Sequence, residues 1–175
     1  EATMNVVPTT DVHPLPDGRV TLLGAVRSVT GAMTRVESGG AALLVDCGVA
    51  QGDAARAWRF PDAARDVDAV LLTHGHNDHV GSLPALLEGG FDRPILGTSA
   101  TIAIARLVLE DGLRLNGASS SEQRTFLAQF DRLARAIGYG ESARVARFDG
   151  TVAFREAGHI LGSASVELVT PRSRV

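Results

Sequence analysis

Residues 73–81 read Thr73-His74-Gly75-His76-Asn77-Asp78-His79-Val80-Gly81. The apolar run Ala69-Val70-Leu71-Leu72 comes directly before them, and its length and branched side chains predict a buried strand. A helix with proline in its first turn is predicted directly afterwards, over residues 83–87. Three histidines and one aspartate are therefore expected on the loop that leaves the end of a strand.

These side chains are of the types that hold zinc, which accepts imidazole nitrogen and carboxylate oxygen at about 2.0–2.2 Å. His74 and His76 alternate along an extended segment, so their rings can converge on one ion. Asp78 and His79 are adjacent and can turn toward a second ion beside the first. The alternative is a polar loop that happens to contain histidines, but the spacing is typical of a dedicated metal-ligand loop.

Three further segments accompany this loop. They are LLVDCGVAQG at residues 43–52, GSLPAL at 81–86 followed by Gly90-Phe91 and Arg93-Pro94-Ile95, and AGHILGSA at 157–164. Together with the H-x-H-x-D-H spacing they resemble the β-CASP branch of the metallo-β-lactamase superfamily. That branch contains ribonucleases such as RNase J and the cleavage-and-polyadenylation endonuclease. The resemblance runs from about Leu22 to about Val169.

The resemblance implies an α+β fold, the metallo-β-lactamase αββα sandwich, of which this chain is expected to be the amino-terminal half. Residues 1–18 are interpreted as an extended arm and residues 19–175 as the N-terminal part of the domain. The β-CASP domain and the C-terminal half are expected to be absent. A single sheet-and-helix layer would leave one face of its sheet unburied, so we expect the apolar strand at residues 69–73 to drive association.

The resemblance also implies a ligand set. His159 lies between Gly158 and Gly162 on a predicted loop at a strand end, like the first cluster, and is expected to join His74 and His76 around one zinc with an open fourth position. Asp78 and His79 would hold the second zinc. In the family, a later aspartate and a late histidine complete that second site.

Three other residues have competing interpretations. Asp46 is either an ordinary turn residue or, as the resemblance favours, a group that braces the ligand loop by hydrogen bonds. Cys47 is either a metal ligand or a buried inert thiol, and the second is favoured. His13 has no neighbouring ligand type and is interpreted as a surface histidine.

The predicted function is a zinc-dependent ribonuclease that hydrolyses RNA phosphodiester bonds with two metal ions, Asp78 and His79 being the catalytic residues. The resemblance implies a 5′-phosphate product. A small-molecule metallo-hydrolase of the same fold, glyoxalase- or lactamase-like, is the first alternative. A non-catalytic metal-binding subunit is the second.

Composition limits the partners. The chain has 175 residues, 45% of them hydrophobic, and a net charge of −3, with 17 basic residues that are all arginine. A broad basic surface for nucleic acid is thereby excluded, so single-stranded RNA would be held locally.

No apolar run approaches the ~20 residues of a membrane span, and no secretory signal is recognised. One cysteine fits a reducing, cytoplasmic location. The expected partners are RNA and the remainder of the protein or a complementary chain, with a homodimer as a further possibility.

Hydrophobic patterning predicts the other elements. A Gly39-Gly40 hairpin and a capping box from Ser119 to Glu122 are the clearest signals. An arginine stripe on the second long helix is interpreted as a solvated face, with phosphate contact as the alternative. The predicted strands are 20–23, 33–37, 41–45, 95–97, 145–148, 152–155 and 165–169, and the predicted helices lie within 52–66 and at 100–115 and 119–137.

Overall fold

The computed structural model describes residues 11–26, 29–52, 55 and 58–175. Two β-sheets pack face to face, and helices cover the outer face of the larger sheet. The larger sheet has its seven strands in sequence order: β1 (Asp11–Leu15), β2 (Gly18–Gly24), β3 (Met33–Ser38), β4 (Ala41–Val45), β5 (Ala69–Leu71), β6 (Ile95–Gly97) and β7 (Ala134–Ala136). The smaller sheet has the order β10-β9-β8: β8 (Ser142–Ala143), β9 (Thr151–Glu156) and β10 (Ala164–Val169).

The larger sheet is mixed. Strands β1 to β4 are antiparallel neighbours, and Gly39 and Gly40 form the predicted hairpin turn with φ angles of 60° and 85°, which glycine adopts without steric cost. Strands β4 to β7 run parallel. The carboxyl ends of β4, β5 and β6 therefore meet at one edge of the sheet, and the loops that leave them lie side by side.

Four α-helices lie in the described part of the chain: α1 (Asn77–Val80), α2 (Leu83–Glu88), α3 (Ser99–Leu115) and α4 (Ser120–Leu133). The helix α4 begins with the predicted capping box of Ser119 and Glu122, and α3 with Thr98 as its cap. Apolar side chains of α2, α3 and α4 pack on the larger sheet and form the first core with it. None of these helices combines the length and apolar character that crossing a membrane requires.

A second core fills the space between the two sheets. Val152, Phe154 and Leu168 of the smaller sheet pack with Leu43 and Leu71 of the larger one. Leu71 is fully buried, as is Ala69. The expectation of an uncovered sheet face is therefore wrong, because the last part of the chain folds into a second sheet that buries it.

The predicted arm also needs correction. Residues 11–15 form the edge strand β1, which pairs with β2 from Asp11↔Leu22 to Leu15↔Gly18. Proline at position 14 is tolerated because, among the described strands, β1 is the edge of the sheet and pairs only with β2. Residues 1–10 of the predicted arm lie outside the described residues.

The second long helix is shorter than predicted. It ends at Leu133, and Ala134–Ala136 form β7 in parallel with β6. Alternating Ala-Arg-Ala is compatible with a helix, but here its backbone pairs with β6, and Ile137 donates to the carbonyl of Gly97. Ile137 thereby packs against the core between the sheets and not on the helical face.

Two more predictions change. Residues 145–148 form no strand, and Ser142–Ala143 pair with β9 instead. The side chains of Val145 and Phe148, which flank a turn, are buried. Within residues 52–66 the structure places a short 3-10 helix, Asp62–Ala64, while residues 53–54 and 56–57 lie outside the described part. The strands and helices predicted around residues 33–45, 69–72, 83–87, 95–115 and 165–169 are confirmed, with small shifts of their ends.

Candidate metal centre

The ligand loop leaves β5 and lies flat on α3. A Cβ at Gly75 would stand 2.6 Å from Cγ2 of Ile104 and 2.9 Å from the amide nitrogen of Ala105, so only glycine allows this approach. The chain then enters the single turn of α1, which carries Asp78 and His79. The loop thus presents four candidate ligands at the edge where the parallel strands end.

Three imidazoles converge at this edge. Nε2 of His74 lies 3.1 Å from Nδ1 of His76, and Nε2 of His159 lies 3.3 Å from the same nitrogen. One ligand atom from each ring lies within 4.8 Å of the others. Three neutral nitrogens in such an arrangement suit a zinc ion with an open fourth position, the pattern of catalytic zinc sites. The residue types and their spacing therefore fit the metal.

His159 reaches this cluster from the turn between β9 and β10. Gly162, with φ of 83°, lies so close to α3 that a Cβ there would be 2.6 Å from the amide nitrogen of Thr101. Its carbonyl accepts hydrogen bonds of 2.7 Å from the hydroxyls of Thr98 and Thr101. Within the turn, Oγ of Ser163 accepts from the backbone N–H of His159 at 2.9 Å. The first turn of α3 therefore fixes the His159 loop.

Asp78 and His79 stand beside the three-histidine cluster. Nε2 of His79 lies 3.7 Å from Oδ2 of Asp78, and the rings of His74 and His79 have centroids 3.9 Å apart. These two residues offer two ligand groups to a second position, fewer than the three or four of a closed site.

Asp46 directly follows β4 and is almost fully buried. Its Oδ1 accepts from the backbone N–H of Thr73 at 2.8 Å, and its Oδ2 accepts from the hydroxyl of Thr73 and from Nδ1 of His79, both at 2.7 Å. Its own backbone has φ of 60°, a left-handed conformation that aspartate tolerates better than most residues. The carboxylate thus braces the ligand loop in the geometry observed.

Comparison with known proteins gives the family. The profile described as "Metallo-beta-lactamase superfamily" matches residues 29–150. The chain belongs to the metallo-beta-lactamase superfamily. This match, together with the relatives that follow, confirms the resemblance recognised in the sequence motifs.

Two curated proteins with similar sequences show which branch of the superfamily the chain resembles. Ribonuclease TTHA0252 of Thermus thermophilus is 39% identical over 150 residues, which cover 85% of this chain and 34% of the relative. Integrator complex subunit 11 of Danio rerio is 32% identical over 168 residues, covering 88% of this chain and 28% of the relative. The chain thus spans about a third or less of the length of these relatives.

A solved structure agrees on the fold. The metallo-beta-lactamase fold protein YhfI of Bacillus subtilis superposes with a TM-score of 0.55 at 20% identity, covering 90% of this chain and 60% of that one. At this identity the likeness shows the fold alone. The predicted fold class is confirmed as a mixed α/β metallo-beta-lactamase fold built on a large mixed sheet.

In this member of the metallo-beta-lactamase superfamily, backbone groups of Cys47 and Ala32 hold the ligand loop. Cys47 donates to the carbonyl of His79 at 2.7 Å, and Ala32 donates to the carbonyl of Asp78 at 2.8 Å. A Cβ at Gly48 would lie 1.7 Å from that same carbonyl oxygen of Asp78. Cys47 itself is fully buried, and burial together with the Asp46 carboxylate raises the pKa of its thiol. The thiol therefore stays protonated, which favours the inert interpretation.

The environment favours neutral imidazole at one ligand. Burial and the neighbouring rings of His79, His76 and His159 lower the pKa of His74 to about 4. At His79, burial opposes the charged form, but the hydrogen bond and charge of Asp46 outweigh it and raise the pKa. Metals bind neutral imidazole, so His74 needs no deprotonation at neutral pH.

Several residues that hold the candidate site together were not predicted from the sequence. Thr73 precedes the first histidine, and Thr98 and Thr101 lie at the cap and in the first turn of α3. Ser163 orders the His159 turn, and Tyr139 donates from its hydroxyl to the carbonyl of Ser163 at 2.9 Å. Polar residues at strand ends and caps were the available signal, but their partners are distant in sequence. His13 lies exposed in β1 and belongs to no part of the cluster.

Proposed function

We propose that this chain forms the metal-binding part of a zinc-dependent ribonuclease of the β-CASP branch, which hydrolyses single-stranded RNA by a two-metal mechanism. The convergence of His74, His76 and His159 beside Asp78 and His79 is the observation that supports it. The 39% identical relative named a ribonuclease and the second relative, an Integrator subunit, support nuclease chemistry as the class.

Each residue has a proposed part. His74, His76 and His159 hold the first ion and leave one position open toward solvent, since His76 and His159 are exposed. Asp78 and His79 hold the second ion, and Asp78 orients the attacking water in line with the scissile phosphate. When bound, the two zinc ions would lower the pKa of that water toward about 7 and balance charge on the phosphate.

Charge supports a local grip on the substrate. The chain has a net charge of −3, so most of the positive charge at the phosphate would come from the metal site. Arg124, Arg132 and Arg135 are exposed on or just after α4, and phosphate contact there remains the alternative to a solvated face. A cytoplasmic location is proposed with the same function, because the single cysteine is a buried free thiol.

The second metal position is proposed to need further ligands. Asp78 and His79 give it two groups, while a two-metal mechanism requires both ions to be fixed. We propose that another segment of the protein or a complementary chain supplies the rest. Two observations support this proposal: Asp78 and His79 supply only two ligand groups, and the chain matches only 34% of the length of Ribonuclease TTHA0252.

Metal binding is tested by elemental analysis of the purified chain. Zinc is expected in the wild type, and His159→Ala should lower its occupancy, whereas His13→Ala should not. The two substitutions are matched because both remove an exposed histidine. Equal occupancy in both variants would overturn the ligand assignment.

Activity is tested on end-labelled single-stranded RNA. The protein is this chain, and in parallel Ribonuclease TTHA0252 with this chain in place of the segment that it matches. Hydrolysis that is lost with chelator and in Asp78→Ala supports the proposal, since the loss should cost the transition state several kcal/mol, on the order of a 1,000-fold lower rate. Rapid hydrolysis of a β-lactam or a thioester, with RNA left intact, would favour the small-molecule hydrolase instead.

A further inference from the structure

Thr73 lies between β5 and the first candidate ligand histidine, and its hydroxyl has three polar neighbours, the most distant of which is Nδ1 of His79 at 3.5 Å. Its Oγ1 is 2.7 Å from Oδ2 of Asp46 and 3.0 Å from Nδ1 of His74. Its backbone is held on both sides as well: its N–H donates to Oδ1 of Asp46 at 2.8 Å, and its carbonyl accepts from Ala164 of β10 at 2.8 Å. The hydroxyl is therefore fixed in place between the carboxylate and the ring.

The chemistry of the three groups determines the direction of each hydrogen bond. A carboxylate can only accept, so the single hydroxyl hydrogen of Thr73 is donated to Asp46. The hydroxyl oxygen then has only lone pairs left for His74, so Nδ1 of His74 must carry the proton. A neutral imidazole has one N–H, and Nε2 of His74 is consequently left with its lone pair directed at the cluster, 3.1 Å from Nδ1 of His76.

The same carboxylate serves a second ligand. Oδ2 of Asp46 also accepts from Nδ1 of His79, which leaves Nε2 of His79 free on the side of Asp78. A continuous chain of hydrogen bonds, His79–Asp46–Thr73–His74, thus joins one ligand of each proposed metal position.

We propose that Thr73 is a positioning residue that holds His74 in the Nδ1-protonated tautomer and connects it to the carboxylate that orients His79. The inference rests on the proposed function only in taking His74 as a metal ligand. The role of Thr73 in selecting the tautomer is independent of which metal binds and of the substrate. Without the hydroxyl, His74 would adopt both tautomers, and the Nε2-protonated form cannot bind a metal through that nitrogen.

The first test is nitrogen–proton correlation spectroscopy of the histidine side chains in the metal-free chain at neutral pH. Wild type is expected to show His74 protonated at Nδ1. Thr73→Val removes the hydroxyl at nearly constant volume and should give a mixture of tautomers at His74, with His79 unchanged. Thr73→Ser keeps the hydroxyl and should restore the wild-type spectrum, which loss of packing alone would not predict. Thr21→Val, the same substitution at a buried threonine of β2, is the control and should change neither ring.

The second test is zinc affinity, measured by competition with a chromophoric chelator. Thr73→Val is expected to weaken binding about 10–100-fold, the usual cost of removing a group that orients a histidine ligand. Thr73→Ser and Thr21→Val should bind like wild type.

The outcomes separate the inference from the proposed function. A wild-type His74 protonated at Nε2 would overturn the role of Thr73 whether or not any variant folds. A folded Thr73→Val with unchanged tautomer and affinity would overturn it as well. A wild-type chain that binds no zinc would instead contradict the proposed function, while the spectra would still test the tautomer.

Discussion

Asp46 combines backbone strain with three hydrogen bonds at the end of β4. A non-glycine residue at φ of 60° costs about 1 kcal/mol or more, and such conformations persist where the surroundings fix them. Here the Thr73 backbone, the Thr73 hydroxyl and the His79 ring all donate to the carboxylate. The strain is therefore offset by the group that holds the ligand loop.

Asp46→Ala is expected to lower the free energy of unfolding of the metal-free chain by about 2–4 kcal/mol, because it leaves partly buried donors of Thr73 and His79 unpaired. Urea denaturation followed by circular dichroism measures this change. Asp46→Asn is the control: it tolerates the left-handed backbone and retains one acceptor oxygen, so its loss should be smaller. An alanine variant as stable as wild type would show that the carboxylate does not brace the loop.

Gly48 is a second residue whose position is fixed by the ligand loop. Gly48→Ala is expected to lower the free energy of unfolding by at least about 3 kcal/mol, because the new Cβ would meet the backbone carbonyl of Asp78 at 1.7 Å and the backbone must shift. Gly112→Ala is the matched control, since nothing lies within 4 Å of its Cβ position in α3. That change should instead stabilise the protein by about 0.5–1 kcal/mol. Equal effects at the two glycines would contradict the described contact.

At the scale of elements, α3 is the common support of both ligand loops. Its first turn holds the carbonyl of Gly162 through Thr98 and Thr101, and its next residues, Ile104 and Ala105, contact Gly75. The relative placement of His159 and the 73–81 loop is therefore set by one helix.

Thr101→Val should lower stability by about 1–2 kcal/mol, because it removes a buried hydrogen bond to the carbonyl of Gly162. It should also weaken zinc binding, since the His159 turn loses part of its anchor. Thermal unfolding and chelator competition measure the two effects. Thr125→Val, at an exposed position of α4, should leave both unchanged. Wild-type zinc affinity in Thr101→Val would show that the Thr101 hydrogen bond is not needed to hold the His159 turn in place.

At the scale of the whole molecule, the second sheet removes one reason to expect association. The larger sheet is covered by helices on one face and by β8, β9 and β10 on the other. Leu107 and Leu115 are both exposed on α3. The other exposed large apolar side chains in the described residues belong to different segments of the chain: Val12, Val29, Tyr139, Leu161 and Val175. The second sheet therefore covers the apolar face for which association was expected, with a homodimer as one possibility. The need for a partner then rests on the ligand count at the proposed second metal position.

The chain alone is accordingly expected to be a folded monomer of 18.3 kDa that binds zinc through the three histidines and hydrolyses RNA slowly. Small-angle scattering gives the mass, and the labelled-RNA assay gives the rate with zinc added. The chimera with Ribonuclease TTHA0252 is expected to be much faster, because it supplies the further ligands. If a monomer of this chain cleaved RNA as fast as the chimera, and Asp78→Ala abolished that cleavage, the proposal that the second metal position needs further ligands would be wrong.

The sequence by itself determined the features that depend on neighbours along the chain. The residue types and spacing within residues 73–81 predicted a candidate ligand loop, the Gly39-Gly40 pair predicted a hairpin, and the Ser119 capping box predicted the start of α4. These signals are local, since a turn, a cap or a ligand loop is specified within about ten residues.

Only the tertiary structure decided the rest. Asp46 and Thr73 are 27 residues apart in the sequence and meet because β4 and β5 are parallel neighbours in register. The end of α4 at Leu133 and the second sheet over Leu71 likewise depend on strands that pair or pack across long sequence separations. Local patterning could not determine them, because a backbone segment or an apolar face takes its final conformation from whichever distant partner satisfies its hydrogen bonds and covers its surface.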